Sequence, residues 1–319
     1  MAWIKKHLFT LILVLILIIG AGLLIYPSLA NYINTMGQSK TVQNYAADVA
    51  KMSDDEYEKV ISDAEAYNSK IAQSGFTWDM TDEQKTEYES LLNVSGTGVM
   101  GYLTIPKIDL QLPIYHGTSD EVLKTSIGHV EGTSLPVGGS KSHCVLSGHR
   151  GLPSARLFTD LDKMAEGDTF TLSILNETLT YEVDQIRIVL PEDLSSLTLE
   201  DGQDYCTLVT CTPYGVNTHR LLVRGHRIAN ADGDARIVAD ALQIEPIYIV
   251  PFACIPFVAA LLIVLFVTTG KKYRKRHESK VPKYLKEKGI ENRDKSDYKE
   301  LIRRSGRRRF GRKHGRDRE

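Results

Sequence analysis

Residues 207–225 of this chain read T-L-V-T-C-T-P-Y-G-V-N-T-H-R-L-L-V-R-G. Two β-rich runs flank a short segment of proline, glycine and asparagine, which form turns for separate stereochemical reasons. Two such runs joined by a short loop that contains glycine predict a β-hairpin. The hairpin would bring the thiol of Cys211 close to the guanidinium of Arg220. Because a nearby fixed positive charge favours the thiolate, Cys211 is the predicted nucleophile.

An upstream segment supplies a candidate acid and base. Residues 144–150 read C-V-L-S-G-H-R, a strand that ends at a glycine and is followed by His149 where a loop begins. Histidine suits proton transfer because its charge changes near neutral pH. His219 is adjacent to Arg220 on the predicted strand, so its side chain is expected on the opposite face.

The ordered set of motifs resembles the sortases of Gram-positive bacteria, which are membrane-tethered cysteine transpeptidases. The residues that carry the resemblance are T-L-V-T-C, an arginine nine positions after that cysteine, and G-H about sixty positions before it. Three further segments resemble class C sortases, the pilin-polymerising group: G-Y-L-T-I-P-K-I at 101–108, L-P-I-Y-H-G-T at 112–118 and G-H-V-E-G-T-S-L-P-V-G-G at 128–139. His116 and His129 lie in this text, but the G-H-R context favours His149. The resemblance runs from about residue 98 to residue 228.

The resemblance implies a mainly β fold, the eight-stranded sortase β-barrel with short helices. It implies that Cys211 attacks the Thr–Gly bond of an LPxTG-like sorting signal, and that His149 protonates the departing amine. Arg220 would hydrogen-bond the developing oxyanion or the substrate backbone, because its planar, permanently charged fork of donors fits that need. Thr210 is expected to line the site through its hydroxyl or its backbone amide. Arg224 and Arg227 share the strand with Arg220 and are expected to face solvent.

The sequence itself predicts an N-terminal helical segment followed by many short strands. Apolar residues spaced three and four apart predict a helix over 41–72, broken near Ser53. A second helix is predicted over 82–92 with Thr81 as its cap. Seven β-rich runs separated by turn residues favour a barrel or sandwich. These runs are 100–105, 110–115, 142–147, 169–175, 179–189, 205–210 and 221–228.

Class C sortases carry a lid motif of aspartate, proline and an aromatic residue in their N-terminal segment. This chain has F-T-W-D-M at 76–80 and lacks the proline. The resemblance implies that Trp78 and Asp79 plug the site in reversed order. The alternative is that Trp78 only packs on the barrel.

The net charge of −1 conceals a separation of charge along the chain. Residues 31–245 hold 16 Lys and Arg against 32 Asp and Glu, whereas residues 271–319 hold 21 against 8. Residues 8–26 are uncharged and 247–270 are apolar, and each run has about the length of a membrane-spanning helix. Because positive residues stay on the cytoplasmic side, both termini are expected in the cytosol and the acidic middle outside. A cleaved signal peptide is the alternative for the first run.

These patterns divide the chain into seven parts. They are a cytoplasmic N-terminus (1–7), a membrane helix (8–26), an extracellular helical and lid segment (27–97), the catalytic barrel (98–230), a linker (231–246), a second membrane helix (247–270) and a basic cytoplasmic tail (271–319). The tail is expected to contact anionic lipid headgroups. The acidic middle argues against nucleic acid as a ligand.

The four cysteines are expected to differ in role. Cys254 falls in the second apolar run, and Cys206 and Cys211 should point to opposite faces of one strand. A disulfide between Cys144 and Cys206 stays open at this stage. No cofactor is required by the proposed chemistry, and the histidines and cysteines lack the close paired spacing of a zinc site, so we predict no metal.

The expected partners are pilins and other surface proteins with LPxTG-like signals. We predict that the acyl group passes to a pilin lysine, which polymerises pili. Three alternatives stay open: a sortase that anchors proteins to peptidoglycan, a secreted hydrolase, and a non-catalytic membrane-bound scaffold for pilus assembly. The second apolar run and the long N-terminal helical segment favour pilin polymerisation.

Overall fold

The computed structural model describes residues 2–230. The predicted linker (231–246), the second membrane helix (247–270) and the basic tail (271–319) lie outside the described residues.

A long N-terminal helix, α1, spans Ala2–Val49. Within residues 2–230 it is the one helix that is long and apolar enough to cross a membrane. Pro27, which directly follows the apolar run 8–26, lies inside α1. A proline removes one backbone donor, but a long helix can continue through it with a kink. The apolar run and the polar segment after it therefore belong to one helix.

The remaining N-terminal helices begin at capping boxes. Helix α2 spans Asp54–Ser74, and Ser53 and Glu56 cap its first turn reciprocally. Helix α3 spans Asp82–Ser90 and begins at Thr81 in the same way. Both starts agree with the sequence predictions, because a capping box satisfies backbone donors that the first turn leaves free. A short helix, α4, spans Asp120–Leu123.

Eight strands follow the helical segment. They are β1 Val99–Ile105, β2 Leu110–His116, β3 Ile127–His129, β4 Lys141–Gly148, β5 Thr169–Ile174, β6 Glu177–Val189, β7 Gln203–Thr212 and β8 His219–Ile228. Short 3₁₀ segments occupy Pro106–Ile108 and Leu157–Lys163. Seven of the strands overlap the predicted runs, and β3 was not predicted.

The strands close into a barrel in the order β1-β2-β3-β4-β7-β8-β6-β5. The pairs β2–β3 and β4–β7 are parallel, and the other neighbouring pairs are antiparallel. Strands β4, β6 and β7 therefore end at one end of the barrel, where β8 begins. We call this the Cys211 end. Strands β1, β4 and β7 begin at the opposite end, where β5 also turns into β6.

Inward-facing apolar side chains fill the barrel. The fully buried ones include Leu103, Leu112, Ile127, Phe170 and Tyr181. Alternation along β7 turns Cys206 inward and Cys211 toward the outer face. The eight-stranded closed barrel confirms the predicted fold class.

Candidate active site

The β7–β8 hairpin brings Cys211 and Arg220 together. The two residues are direct partners in the antiparallel register of these strands. The Cys211 side chain is partly exposed, whereas Cys206 on the same strand is completely buried. Arg220 is tied to its own loop, since its Nη1 lies 3.4 Å from the carbonyl oxygen of Asn217 and 3.2 Å from that of His219. The predicted hairpin is therefore present, with a partly exposed Cys211 and with Arg220 as its direct cross-strand partner.

His149 follows the last residue of β4 and lies at the Cys211 end. Strand β4 pairs with β7 in parallel, with Ser147 opposite Val209. The Thr210 hydroxyl donates to the carbonyl oxygen of Gly148 over 2.7 Å. The residue before Cys211 is thus bonded to the residue before His149. The Cys211 sulfur and the His149 imidazole therefore belong to chain segments that are hydrogen-bonded to each other.

Gly148 leaves room for the close packing of Phe158 and Ile127 on the end of β4. A Cβ on this residue would lie 2.7 Å from the Phe158 ring and 2.8 Å from a methyl group of Ile127. Backbone contact continues past the strand, because the Phe158 amide donates to the His149 carbonyl over 3.1 Å. The loop that carries His149 is therefore fixed on both sides.

Thr210 has a structural place at the site. Its side chain is 2% exposed, and its hydroxyl is engaged by Gly148. The hydroxyl thus bonds within the barrel, and the alternative that the Thr210 backbone amide lines the site stays a prediction. Alternation along β7 turns Thr210 inward when Cys211 points outward. Its hydroxyl joins β7 to β4.

The sequence reasoning missed Arg150. Its guanidinium donates to the Thr212 hydroxyl over 3.3 Å, pairs with Asp162 and lies over the Tyr214 ring at 5.9 Å from the centroid. Its side chain is 8% exposed. Arg150 therefore links the loop after His149 to the loop after Cys211. The G-H-R motif pointed to this position, but only the fold reveals its partners.

The histidines in the other family-like segments have structural partners. His129 is fully buried, and its ring contacts the Tyr88 hydroxyl at 2.9 Å and the Ser134 carbonyl at 2.8 Å. The ring nitrogens of His116 contact the carbonyl oxygens of Gly98 and Leu91 at 2.9 and 2.7 Å. Both ring nitrogens of each residue are therefore engaged by these partners.

The segment with Trp78 and Asp79 lies near the start of β4. The Trp78 ring packs edge-on against Phe76, at 5.3 Å between centroids, and Phe76 packs against His143 at 6.1 Å. His143 is level with Tyr205 on β7, six residues before Cys211, which corresponds to about 20 Å along the strand. The structure does not bring Trp78 to Cys211. Both Trp78 and Asp79 are exposed.

Cys144 and Cys206 lie opposite each other in the β4–β7 register as free thiols, so the possible disulfide is not formed. Burial raises the pKa of Cys206 well above its ordinary value, which makes this thiol unreactive.

The prediction that Arg224 faces solvent is wrong. It pairs with both carboxylate oxygens of Asp184 at 3.1 and 2.8 Å, and it lies over the Tyr205 ring at 4.1 Å.

Comparison with known proteins agrees with this architecture. Residues 103–228 match the sortase domain family. The chain is 57% identical to the crystal structure of sortase C1 from Streptococcus agalactiae, with a TM-score of 0.59, covering 60% of this chain and 100% of that one. It is 41% identical to Clostridium perfringens sortase C, solved with the C-terminal cell wall sorting motif, with a TM-score of 0.53 and coverage of 60% and 99%.

A curated relative supports the same assignment. Sortase D of Bacillus subtilis is 29% identical over 174 residues, which are 54% of this chain and 84% of the relative. The chain shares with these proteins the barrel that carries Cys211, His149 and Arg220. This chain belongs to the sortase family of cysteine transpeptidases, and class C sortases are among the structures it resembles.

Proposed function

We propose that the protein is a class C sortase that polymerises pilins, with Cys211 as nucleophile, His149 as acid and base, and Arg220 as oxyanion ligand. The observation that carries the proposal is the register of the β7–β8 hairpin, in which Cys211 and Arg220 are direct partners. The hydrogen bond between Thr210 and Gly148, the residues before Cys211 and His149, supports a role for His149 at the same end of the barrel.

The first half of the reaction forms an acyl-enzyme. The Cys211 thiolate attacks the threonine carbonyl carbon of an LPxTG-like signal, and the carbonyl oxygen becomes an oxyanion that Arg220 stabilises. When the intermediate collapses, the carbon–nitrogen bond to glycine breaks. His149, which holds the proton that left the thiol, gives it to the departing amine. The product is a thioester on Cys211.

The second half transfers the acyl group to an amine. A lysine amine of another pilin attacks the thioester, His149 accepts its proton, and the Cys211 thiolate leaves. The new bond is an isopeptide. Splitting the exchange into two steps through a covalent intermediate lets one amide replace another without an added energy source.

We propose a two-pass membrane topology with the barrel outside and both termini in the cytosol. Helix α1 supports an N-terminal anchor, and the acidic residues 31–245 between two apolar runs support the orientation. The basic tail would contact anionic lipid headgroups. Tethering holds the site close to newly exported substrates and raises their effective concentration.

Mass spectrometry of the intact protein tests the first half-reaction. The full chain, purified in detergent, is incubated with an LPxTG-type peptide and quenched in acid. We expect a mass increase equal to the acyl fragment, removed by hydroxylamine and absent from Cys211→Ala. Failure of the wild-type chain to form this adduct, with other sorting-signal peptides also inert, overturns the proposed nucleophile.

The acceptor requires a second assay. Incubation with a pilin should give a ladder of multimers that survive SDS. Single attachments to a cell-wall peptide amine, without a ladder, would instead assign the enzyme to peptidoglycan anchoring. Full assembly activity in Cys211→Ala would indicate a scaffold.

A further inference from the structure

Helix α1 is fastened to the Cys211 end of the barrel by Asn31 and Asn34, which follow its apolar run. The Asn34 side chain donates to the Ser154 carbonyl over 2.7 Å. The Asn31 side chain accepts from the Arg156 amide over 2.7 Å. Ser154 and Arg156 belong to the loop that follows His149. The helix therefore passes directly beside the segment that carries the candidate acid and base.

Farther along α1, the Gln38 side chain donates to the Thr125 carbonyl oxygen over 2.5 Å, and Tyr45 makes polar contacts at the opposite end of the barrel. The Tyr45 hydroxyl donates to the Met100 carbonyl over 2.7 Å and accepts from the Leu175 amide over 2.8 Å. Met100 is near the start of β1, and Leu175 follows β5. Asn34 and Tyr45 are eleven residues apart, or about 16 Å along the helix. From Tyr45 toward its N-terminus, α1 thus runs along the outside of the barrel and extends past it at the Cys211 end.

The apolar run lies immediately beyond that end. Asn31 is five positions after Tyr26, the last residue of the run, which corresponds to about 8 Å along the helix. The headgroup layer on each side of a bilayer is roughly 5 to 8 Å thick. If the apolar run crosses the bilayer, the loop that contacts Asn31 is at the level of the headgroups.

Exposed apolar side chains of the barrel gather at the same end. Among the described residues 99–228, the large apolar side chains that are exposed are Ile188, Leu190, Leu194, Tyr214 and Val216. The first three lie at the end of β6 or in the loop that leaves it, and the last two lie in the β7–β8 loop. Val216 is 64% exposed and Tyr214 is 60% exposed. Within this range no exposed side chain of this kind lies at the opposite end, whereas Trp78 of the N-terminal segment, which is 47% exposed, lies near the start of β4 at that end.

We propose that the Cys211 end of the barrel faces the bilayer and that the β7–β8 loop seats Tyr214 and Val216 among the lipid headgroups. The partner is a phospholipid surface. A tyrosine suits this layer because its ring is apolar and its hydroxyl is hydrated. The inference rests on α1 being the membrane anchor of the proposed function. It follows that the Cys211 thiol lies within a short distance of the membrane surface.

Depth-dependent quenching tests the orientation in the full chain. Single cysteines are introduced by Val216→Cys and Asn176→Cys in a background of Cys211→Ala and Cys254→Ala, where Cys144 and Cys206 are buried. Asn176 is exposed in the β5–β6 turn at the opposite end, and β6 covers about 40 Å between the two ends. Each fluorophore-labelled chain is reconstituted in vesicles of phosphatidylcholine and phosphatidylglycerol that carry headgroup nitroxides. The unsubstituted background controls for labelling of the buried thiols.

We expect loss of fluorescence for the label at position 216 and none for the label at 176. Equal quenching at both positions, or stronger quenching at 176, overturns the proposal. The readout uses a chain without Cys211, so it does not depend on whether the enzyme forms a thioester.

A second pair of measurements separates lipid contact from substrate binding. Ile188→Asp with Val216→Asp should reduce quenching of a label at Thr218→Cys in the Cys211→Ala, Cys254→Ala background. In a chain that keeps Cys211, the same two substitutions should leave acylation by a soluble peptide unchanged. If the double variant instead raises the KM for soluble peptide with quenching intact, the surface binds substrate and the proposal is wrong. Weakening the tether with Asn31→Ala and Asn34→Ala should diminish the difference in quenching between positions 216 and 176.

Discussion

Thr210 donates a hydrogen bond of 2.7 Å to the carbonyl oxygen of Gly148, and each of these residues immediately precedes a candidate catalytic group. The bond joins two parallel strands at the place where both end. The relative position of Cys211 and His149 therefore depends on a buried threonine that does not face substrate.

Replacing Thr210 with valine tests this dependence. Thr210→Val keeps the shape but leaves the Gly148 carbonyl without its donor, which should lower stability by about 1–3 kcal/mol and slow acylation. Thr207→Val is the matched control, because Thr207 on the same strand bonds to His143 far from Cys211. We expect a similar loss of stability there and little change in acylation rate. Equal acylation rates in both variants would contradict the positioning role of Thr210.

Arg220 is expected to act through its fork of donors as well as its charge. Arg220→Ala should slow acylation by about 100- to 1000-fold, the typical effect of losing an oxyanion donor. Arg220→Lys should recover only part of this loss, because an ammonium group cannot reproduce the planar fork. Single-turnover kinetics with an LPxTG-type peptide gives both rates. Alkylation of Cys211 by a small neutral reagent controls for access to the thiol, and a fully active lysine variant would show that charge alone suffices.

Arg150 is expected to hold the two active-site loops together. Arg150→Met removes the bond to Thr212 and the pair with Asp162 while keeping the aliphatic stem. Small displacements of reacting groups can cost about 100-fold in rate, so we expect a loss of ten- to 100-fold in kcat with a smaller change in KM. Lys163→Met, which removes an exposed cation from the neighbouring 3₁₀ segment, should have no effect. Equal kinetics in the two variants would exclude the loop-linking role.

Buried His143 should make stability depend on pH. Burial lowers its pKa from 6.5 to about 4, and the ring contacts the Thr198 carbonyl and the Thr207 hydroxyl. Below pH 6.5 the unfolded chain binds a proton that the folded chain does not. Stability should therefore fall between pH 6.5 and 4, by up to roughly 3 kcal/mol from this group, and level off below.

Chemical denaturation at several pH values measures this slope. His143→Gln cannot titrate but can still donate to Thr198 and accept from Thr207, so its stability should vary less over the same range. A slope as steep as that of the wild type would assign the pH dependence to other groups.

The position of Trp78 predicts that it does not limit access to Cys211. Trp78→Ala with Asp79→Ala should leave the rate of Cys211 alkylation unchanged, because the ring packs on Phe76 near the start of β4. Stopped-flow measurement with a thiol reagent gives the rate. Faster alkylation in the double variant would restore the lid interpretation.

Local sequence was sufficient for features formed by near neighbours. Pro213, Gly215 and Asn217 define the hairpin turn, and the register of Cys211 with Arg220 follows from it. The break before α2 followed from Ser53 and its capping box. These features need contacts over only a few residues, so their signals are present in the order of the chain.

Features that depend on distant partners escaped the sequence. Strand β3 has only three residues, too few for a periodic pattern, and it forms because β2 and β4 supply partners on both sides. The position of Arg224 on the strand predicted an exposed side chain, but the fold places Asp184 beside it as a partner. Trp78 matched a lid by position, but its surroundings are set by the packing of Phe76 on His143.

The sequence by itself determined the family, the barrel class, and the residue types that perform the chemistry, because motifs and turn residues are local. Only the tertiary structure decided how these residues meet. The parallel pairing of β4 with β7 brings segments about sixty residues apart into hydrogen-bond contact, and the path of α1 chooses the end of the barrel from which the apolar run leaves. The strand pairing and the path of the helix both depend on long-range contacts. The free energy of these contacts comes from burying side chains of many segments at once, so no single segment of the sequence predicts it.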